Sequence, residues 1–184
     1  MLQEADLISR LKDPKRRNRA FEELVDQYQE RLYWHIRKIV ITHENANDVL
    51  QNTFLRIFRG IRDFQSRSSL HTWMYRIAYN ESIRLLRSNK FDDSLTSADA
   101  NTFMKTLAED AYFDGDEIQY KLHEVVSQLS EKQRRVFQMK YFDALSFREI
   151  SEILQISENT LKSSYYSAVK TIEEKMAASL VQTN

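Results

Sequence analysis

The chain has no cysteine, one proline and two glycines in 184 residues. Without cysteine there is neither a disulfide framework nor a thiolate metal site, a composition that suits a reducing cytosol. So few turn residues argue against an all-β fold and for helices joined by short loops. No apolar run approaches the roughly 20 residues of a membrane span. The opening residues MLQEADLISR lack the apolar core of a signal peptide. The expectation is a cytoplasmic protein without membrane insertion. The four histidines, His35, His43, His71 and His123, form no His-x-x-x-His pair, and no carboxylates are spaced to complete a metal site. A glycine-rich phosphate loop and a nucleophile elbow are also missing. Catalysis by this chain is therefore not expected, nor is a cofactor or metal.

Net charge is absent too, but the balance conceals a division. Residues 1–90 carry 17 Lys/Arg against 11 Asp/Glu, residues 91–116 one against seven, and residues 117–184 nine against nine. A basic module (1–90), an acidic connector (91–116) and a balanced module (117–184) follow from this.

Apolar periodicity is helical in both modules. Leu7, Ile8 and Leu11 predict a short helix stopped near Pro14, followed by the basic cluster Lys15, Arg16, Arg17 and Arg19. That cluster suits phosphate but suits a solvated turn better. Phe21, Leu24, Val25, Tyr28, Leu32, Ile36 and Ile39 mark one face of a long second helix. Thr42 to Asn47 is polar, with Asn45 as a candidate N-cap. Periodicity fails between Phe91 and Asp116, which reads as a flexible linker with one weak turn near Phe103 to Leu107. Ile118, Leu122, Val125 and Leu129 open the second module. Ser130 to Gln133 and Ser146 to Glu149 are capping boxes. The first starts a helix with Val136, Phe137 and Tyr141, the second a short helix with Ile150, Ile153 and Leu154. After Gln155 and Ile156, Ser157 caps a last helix with Leu161, Tyr165, Val169 and Ile172. Short helix, tight turn and longer helix make a helix-turn-helix pattern.

The stretch from Asp48 to Arg87 carries the most chemistry. Val49, Leu50, Phe54, Ile57, Phe58 and Ile61 give its first helix an apolar face, and Leu70, Trp73, Met74, Ile77, Ala78 and Leu85 do so for its second. Thr72, Arg76, Asn80 and Arg84 step by four along that second helix, with Tyr75 and Tyr79 beside them. The joining loop, Phe64 to Ser69, adds Gln65, Ser66, Arg67 and Ser68. Aromatic rings stack on unpaired bases, guanidinium groups meet phosphates, and an amide reads a base edge. The same residues would also serve as a solvated face. Likewise, Asn159, Thr160, Lys162, Ser163, Tyr166 and Lys170 on the last helix suit a major groove or water.

The residues themselves resemble a family. Asn45-Ala46-Asn47-Asp48-Val49-Leu50-Gln51-Asn52-Thr53-Phe54-Leu55-Arg56, then Phe64, then Ser68-Ser69-Leu70-His71-Thr72-Trp73-Met74-Tyr75-Arg76-Ile77-Ala78-Tyr79-Asn80, resemble region two of the sigma-70 family in its extracytoplasmic-function (ECF) branch. LSEKQRRVFQMKYFDALSFREISEILQISENTLKS, from Leu129 to Ser163, resembles region four. The two fall in the family's order with an acidic linker between them. The chain departs from the common pattern at Asn45 and Asn47 (usually acidic), Ser151 (Ala), Gln155 (Gly), and Ser164, Ser167 and Val169 (often Arg). These departures bear on which promoter sequence is read.

The resemblance implies an all-α protein of two helical domains on a flexible tether, acting as a bacterial sigma factor in promoter recognition, melting and initiation. It implies binding of the core polymerase through its β and β′ subunits by Asp48, Gln51, Asn52, Leu55, Arg56 and Arg59. It implies capture of the minus-ten element by Phe64, Ser68, Ser69, Leu70, His71, Trp73, Tyr75, Arg76, Tyr79, Asn80 and Arg84. It implies reading of the minus-thirty-five duplex by Asn159, Thr160, Lys162, Ser163, Ser164, Tyr166, Ser167 and Lys170. An anti-sigma factor is a further implied partner. A stand-alone helix-turn-helix regulator and a sigma-like antagonist that binds polymerase without melting promoters are the alternatives.

Overall fold

The computed structural model describes residues 2–89 and 117–181, and every described element is helical. The described residues divide into two compact units, residues 2–40 with 44–89, and residues 41–43 with 117–181. The acidic stretch and its expected turn near Phe103 lie outside the described residues.

In the first unit α1 spans Leu2–Lys12, α2 Arg17–Val40 and α3 His43–Gly60. A 3-10 turn over Ile61–Asp63 follows, and α4 spans Leu70–Asn89. Pro14 keeps α1 and α2 apart, because its ring cannot continue the helix before it. Leu11 from α1, Leu24, Leu32 and Ile36 from α2, Ile57 from α3 and Met74 from α4 are wholly buried. Each such side chain contributes about 1.5–3 kcal/mol on leaving water. α2 packs along α4, so the apolar face of α2 fixes which side of α4 remains outward. Asn45 is not the N-cap of α3, which starts two residues earlier at His43. The last helix runs through Ser88 to Asn89.

In the second unit α5 spans Glu117–Ser127, α6 Glu131–Tyr141, α7 Phe147–Leu154 and α8 Glu158–Val181. Val125, Val126, Leu129, Phe137, Ala168 and Ile172 form its core. Two expected core positions are outside: Ile118 is 65% exposed and Tyr141 56%. Ile118 stands one residue into α5, before its packed turns begin, and Tyr141 ends α6.

Local signals place the helix starts. The Ser130 side chain accepts from the Gln133 amide at 3.4 Å. Ser146 Oγ accepts from the Glu149 amide at 3.2 Å, and Glu149 Oε2 accepts from the Ser146 amide at 2.8 Å, closing a full capping box. Gln155 ends α7 in the left-handed region at φ 57° and ψ 42°, its amide bonded to Ser151 O. That reversal sets α8 at an angle to α7, as a helix-turn-helix needs.

Candidate nucleic-acid interface

The loop before α4 is held at both ends. Lys12 Nζ donates to Phe64 O at 2.6 Å, and the Leu70 amide donates to Glu4 Oε1 at 2.7 Å. Both anchors come from α1, so that helix determines how the loop is presented. Ser69 caps α4 by accepting from the Thr72 amide at 3.0 Å, and its hydroxyl lies 2.8 Å from that of Thr72. Between the anchors Gln65, Ser66 and Arg67 are exposed, and Ser66 adopts φ 53°. A left-handed serine makes the bend tight and projects the tip.

The expected minus-ten residues separate into two groups. Phe64, Leu70 and Tyr75 are core residues and offer no stacking face to a base. Phe64 packs on Trp73 with centroids 4.9 Å apart. Tyr75 is 1% exposed, against His71 at 4.4 Å and His35 at 4.9 Å. Thr72 is also buried, so the polar stripe does not begin there. The outward group comprises half-buried Ser68, Ser69, His71, Trp73, Arg76 and Tyr79, with Asn80 and Arg84 exposed. Trp73, Arg76, Asn80, Arg84 and Arg87 follow one another at three- and four-residue steps, so these five make the true outer stripe of α4.

On α3 all six expected polymerase residues are exposed. Asp48, Gln51, Asn52, Leu55 and Arg59 form one stripe, with Leu55 47% exposed at its middle. A large apolar side chain ringed by polar ones has the character of an interface centre.

In the second unit Asn159, Lys162, Ser163, Tyr166, Ser167 and Lys170 are exposed on α8, while Thr160 and Ser164 are half-buried. Ser157 caps this helix, accepting from the Thr160 amide at 3.3 Å, and its hydroxyl lies 2.8 Å from Thr160 Oγ1. Thr160 therefore serves the cap. Ser167 accepts from Gln133 Nε2 at 3.0 Å, a tie between α6 and α8. Lys162 Nζ stands 3.6 Å from Glu158, an exposed pair that DNA phosphate can readily replace. Burial raises the half-buried Tyr165 phenol above its ordinary pKa.

Two family models match this arrangement: Sigma-70 region 2 over residues 24–91 and Sigma-70, region 4 over residues 119–172. The chain belongs to the sigma-70 family. Curated relatives place it in the ECF branch. It is 29% identical over 183 residues to the RNA polymerase sigma-H factor of Pseudomonas aeruginosa, covering 95% of this chain and 94% of that one. It is 29% identical over 166 residues to the ECF RNA polymerase sigma factor SigW of Bacillus subtilis, covering 85% and 89%. The fold matches CnrH, solved in complex with the cytosolic domain of CnrY, at TM-score 0.69 and 18% identity over 95% of this chain and 97% of that one. It also matches the sigma factor RpoE of Bartonella quintana, solved with the anti-sigma factor NepR, at TM-score 0.64 and 18% identity over 84% and 94%. Among the described residues of this ECF sigma factor, no helix is long and apolar enough to cross a membrane.

One residue of the sigma factor was not singled out by its sequence pattern. Glu81 is 5% exposed, and its carboxylate takes Arg56 Nε at 2.7 Å and Arg84 at 2.6 Å. The family resemblance gives these two arginines different partners, polymerase and DNA. A single carboxylate, next in sequence to Asn80, holds both. Adjacency to the expected base reader was its only sequence signal.

Proposed function

We propose that the basic module, residues 1–90, joins this ECF sigma factor to core polymerase and to the unpaired minus-ten strand. The α3 stripe through Gln51, Leu55 and Arg59 meets the clamp coiled coil of the largest catalytic subunit. The loop tip and the outer stripe of α4 receive the strand: Asn80 reads a base edge, and Trp73, Arg76 and Arg84 hold ring and backbone. The balanced module, residues 117–184, reads the minus-thirty-five duplex through Asn159, Lys162, Ser163, Tyr166 and Lys170. Residues 91–116 tether the two, making the second contact effectively intramolecular once the first is made. The factor acts in the cytoplasm without catalysis of its own, and an anti-sigma protein competes for these surfaces.

The observation that carries this reading is the exposure of all six α3 residues together with Asn80 and Arg84 on α4. The test is affinity for core polymerase. Gln51→Ala with Arg59→Glu is expected to weaken it while helicity remains native. Undiminished affinity in that variant would assign the stripe to solvent. Arg56 is left out of the pair because its bond to buried Glu81 gives it a structural duty as well.

A further inference from the structure

Helix starts favour acidic side chains, since the free amides of the first turn carry partial positive charge. α2 does the reverse: its first turn, Arg17 to Ala20, has two arginines and no acid. Two neighbouring cations are paired. Arg16 pairs with Asp13 at 2.7 Å, and Arg10 with Glu23 at 2.6 Å. Asp13 also accepts from the Lys15 amide at 2.9 Å.

Arg17 differs from these. It is only 7% exposed, lies 3.8 Å over the Phe58 ring, and its Nε is buried without a hydrogen-bond partner. Phe58 is itself braced by Phe21 at 4.9 Å, so the guanidinium rests on a fixed aromatic floor. One turn beyond Phe58 stands Arg62, exposed on the 3-10 turn. Burial and the charge of Arg62 both hold the Arg17 guanidinium below its usual pKa, with no carboxylate acting against them. A buried guanidinium, a second cation beside it and an acid-free helix start all oppose one another in the free protein. A cation–π contact offsets part of that cost, and an anion would relieve all three terms.

We propose that Arg17, Arg62 and the first turn of α2 form a phosphate-binding site. Two guanidinium forks and free helix amides match the several acceptor oxygens of a phosphate better than the two of a carboxylate. The phosphate is either a phosphodiester of nucleic acid or a free phosphate. The site includes none of the minus-ten residues and does not depend on their assignment.

The test begins with thermal melting of the full chain in inorganic phosphate against chloride at equal ionic strength. Phosphate is expected to raise the melting temperature of the wild type. Arg62→Gln is expected to require about tenfold more phosphate for the same rise. Arg17→Lys, which keeps the charge but loses the fork, is expected to weaken the response as well. Equal melting in the two salts, or an unaltered phosphate response in Arg62→Gln, overturns the proposal. Arg62 is exposed, so its variant remains decisive even if Arg17→Lys folds poorly. Promoter binding by the holoenzyme then identifies the source. A salt slope smaller by about one in Arg62→Gln assigns the site to the DNA backbone. An unchanged slope, with the phosphate response lost, assigns it to free phosphate.

Discussion

Replacing Glu81 by Gln removes a charge without removing volume, at a position only 5% exposed. The wild-type carboxylate makes two charge-assisted bonds, at 2.7 Å to Arg56 and 2.6 Å to Arg84. Such bonds are worth about 1.5–3 kcal/mol each when desolvated. Here the arginine side chains are 54% and 62% exposed, and water competes for them. The discount for exposure brings the expected loss to roughly 1–2 kcal/mol for both bonds together. Both tryptophans, Trp34 and Trp73, lie in the first unit. Their fluorescence therefore follows urea unfolding of that unit in the intact chain. The midpoint should fall by roughly 0.5–1 M. Arg56→Ala combined with Glu81→Gln should then cost less than the sum of the single changes. An unmoved midpoint, or additivity within about 0.5 kcal/mol, would refute the claim that Glu81 anchors this pair. Release of Arg84 has a second consequence: the variant should bind single-stranded DNA with a steeper dependence on salt.

Three further outcomes are expected. Asn80→Ala should relax base preference in single-stranded minus-ten DNA by about 1–3 kcal/mol while changing total affinity less; holoenzyme binding to a base-substituted oligonucleotide series checks this. Gln155→Gly should stabilise the second unit by about 0.5 kcal/mol, because relief of left-handed strain exceeds the added unfolded-state entropy. Its side chain bond to Glu152 O at 2.7 Å is lost, which limits the gain; slower hydrogen exchange in α7 amides is the readout. Lys162→Ala with Tyr166→Ala should weaken binding of the holoenzyme to a minus-thirty-five duplex and flatten its salt dependence. Equal loss on scrambled duplexes would show that these residues carry affinity alone.

Much of the fold was legible because its signals are local. Ser130, Ser146 and Ser157 each sit where an acceptor three residues before a free amide starts a helix, and each does so. The apolar faces of α2 and α3 were legible for a related reason, since the burial of Leu24, Leu32, Ile36 and Ile57 follows directly from helical spacing. The site was less so. Steps of four drift by about 40° each on a helix of 3.6 residues per turn. Thr72 and Arg84 therefore point in different directions: the first is buried and the second exposed. Tyr75 looked like a stacking ring because aromatic residues suit a core and a base alike, and packing against His35 decided between them. Arg17 had the opposite history. In sequence it belongs to a solvated basic cluster, yet Phe58, distant along the chain, supplies the floor that buries it. Glu81 needed two partners, one of them 25 residues away, before its role could be seen.

On the proposed function, this chain gives core polymerase its promoter specificity through Asn80 and its neighbours. The most direct measurement is transcription in vitro from a promoter selected by the factor, with core polymerase and purified full-length chain as the only proteins. The expected result is a discrete start that requires both components, and an Asn80→Ala variant that initiates on base-substituted minus-ten elements the wild type rejects. Specific, tight binding of the chain to promoter duplex without polymerase, together with transcripts no different from those of core enzyme alone, would contradict it.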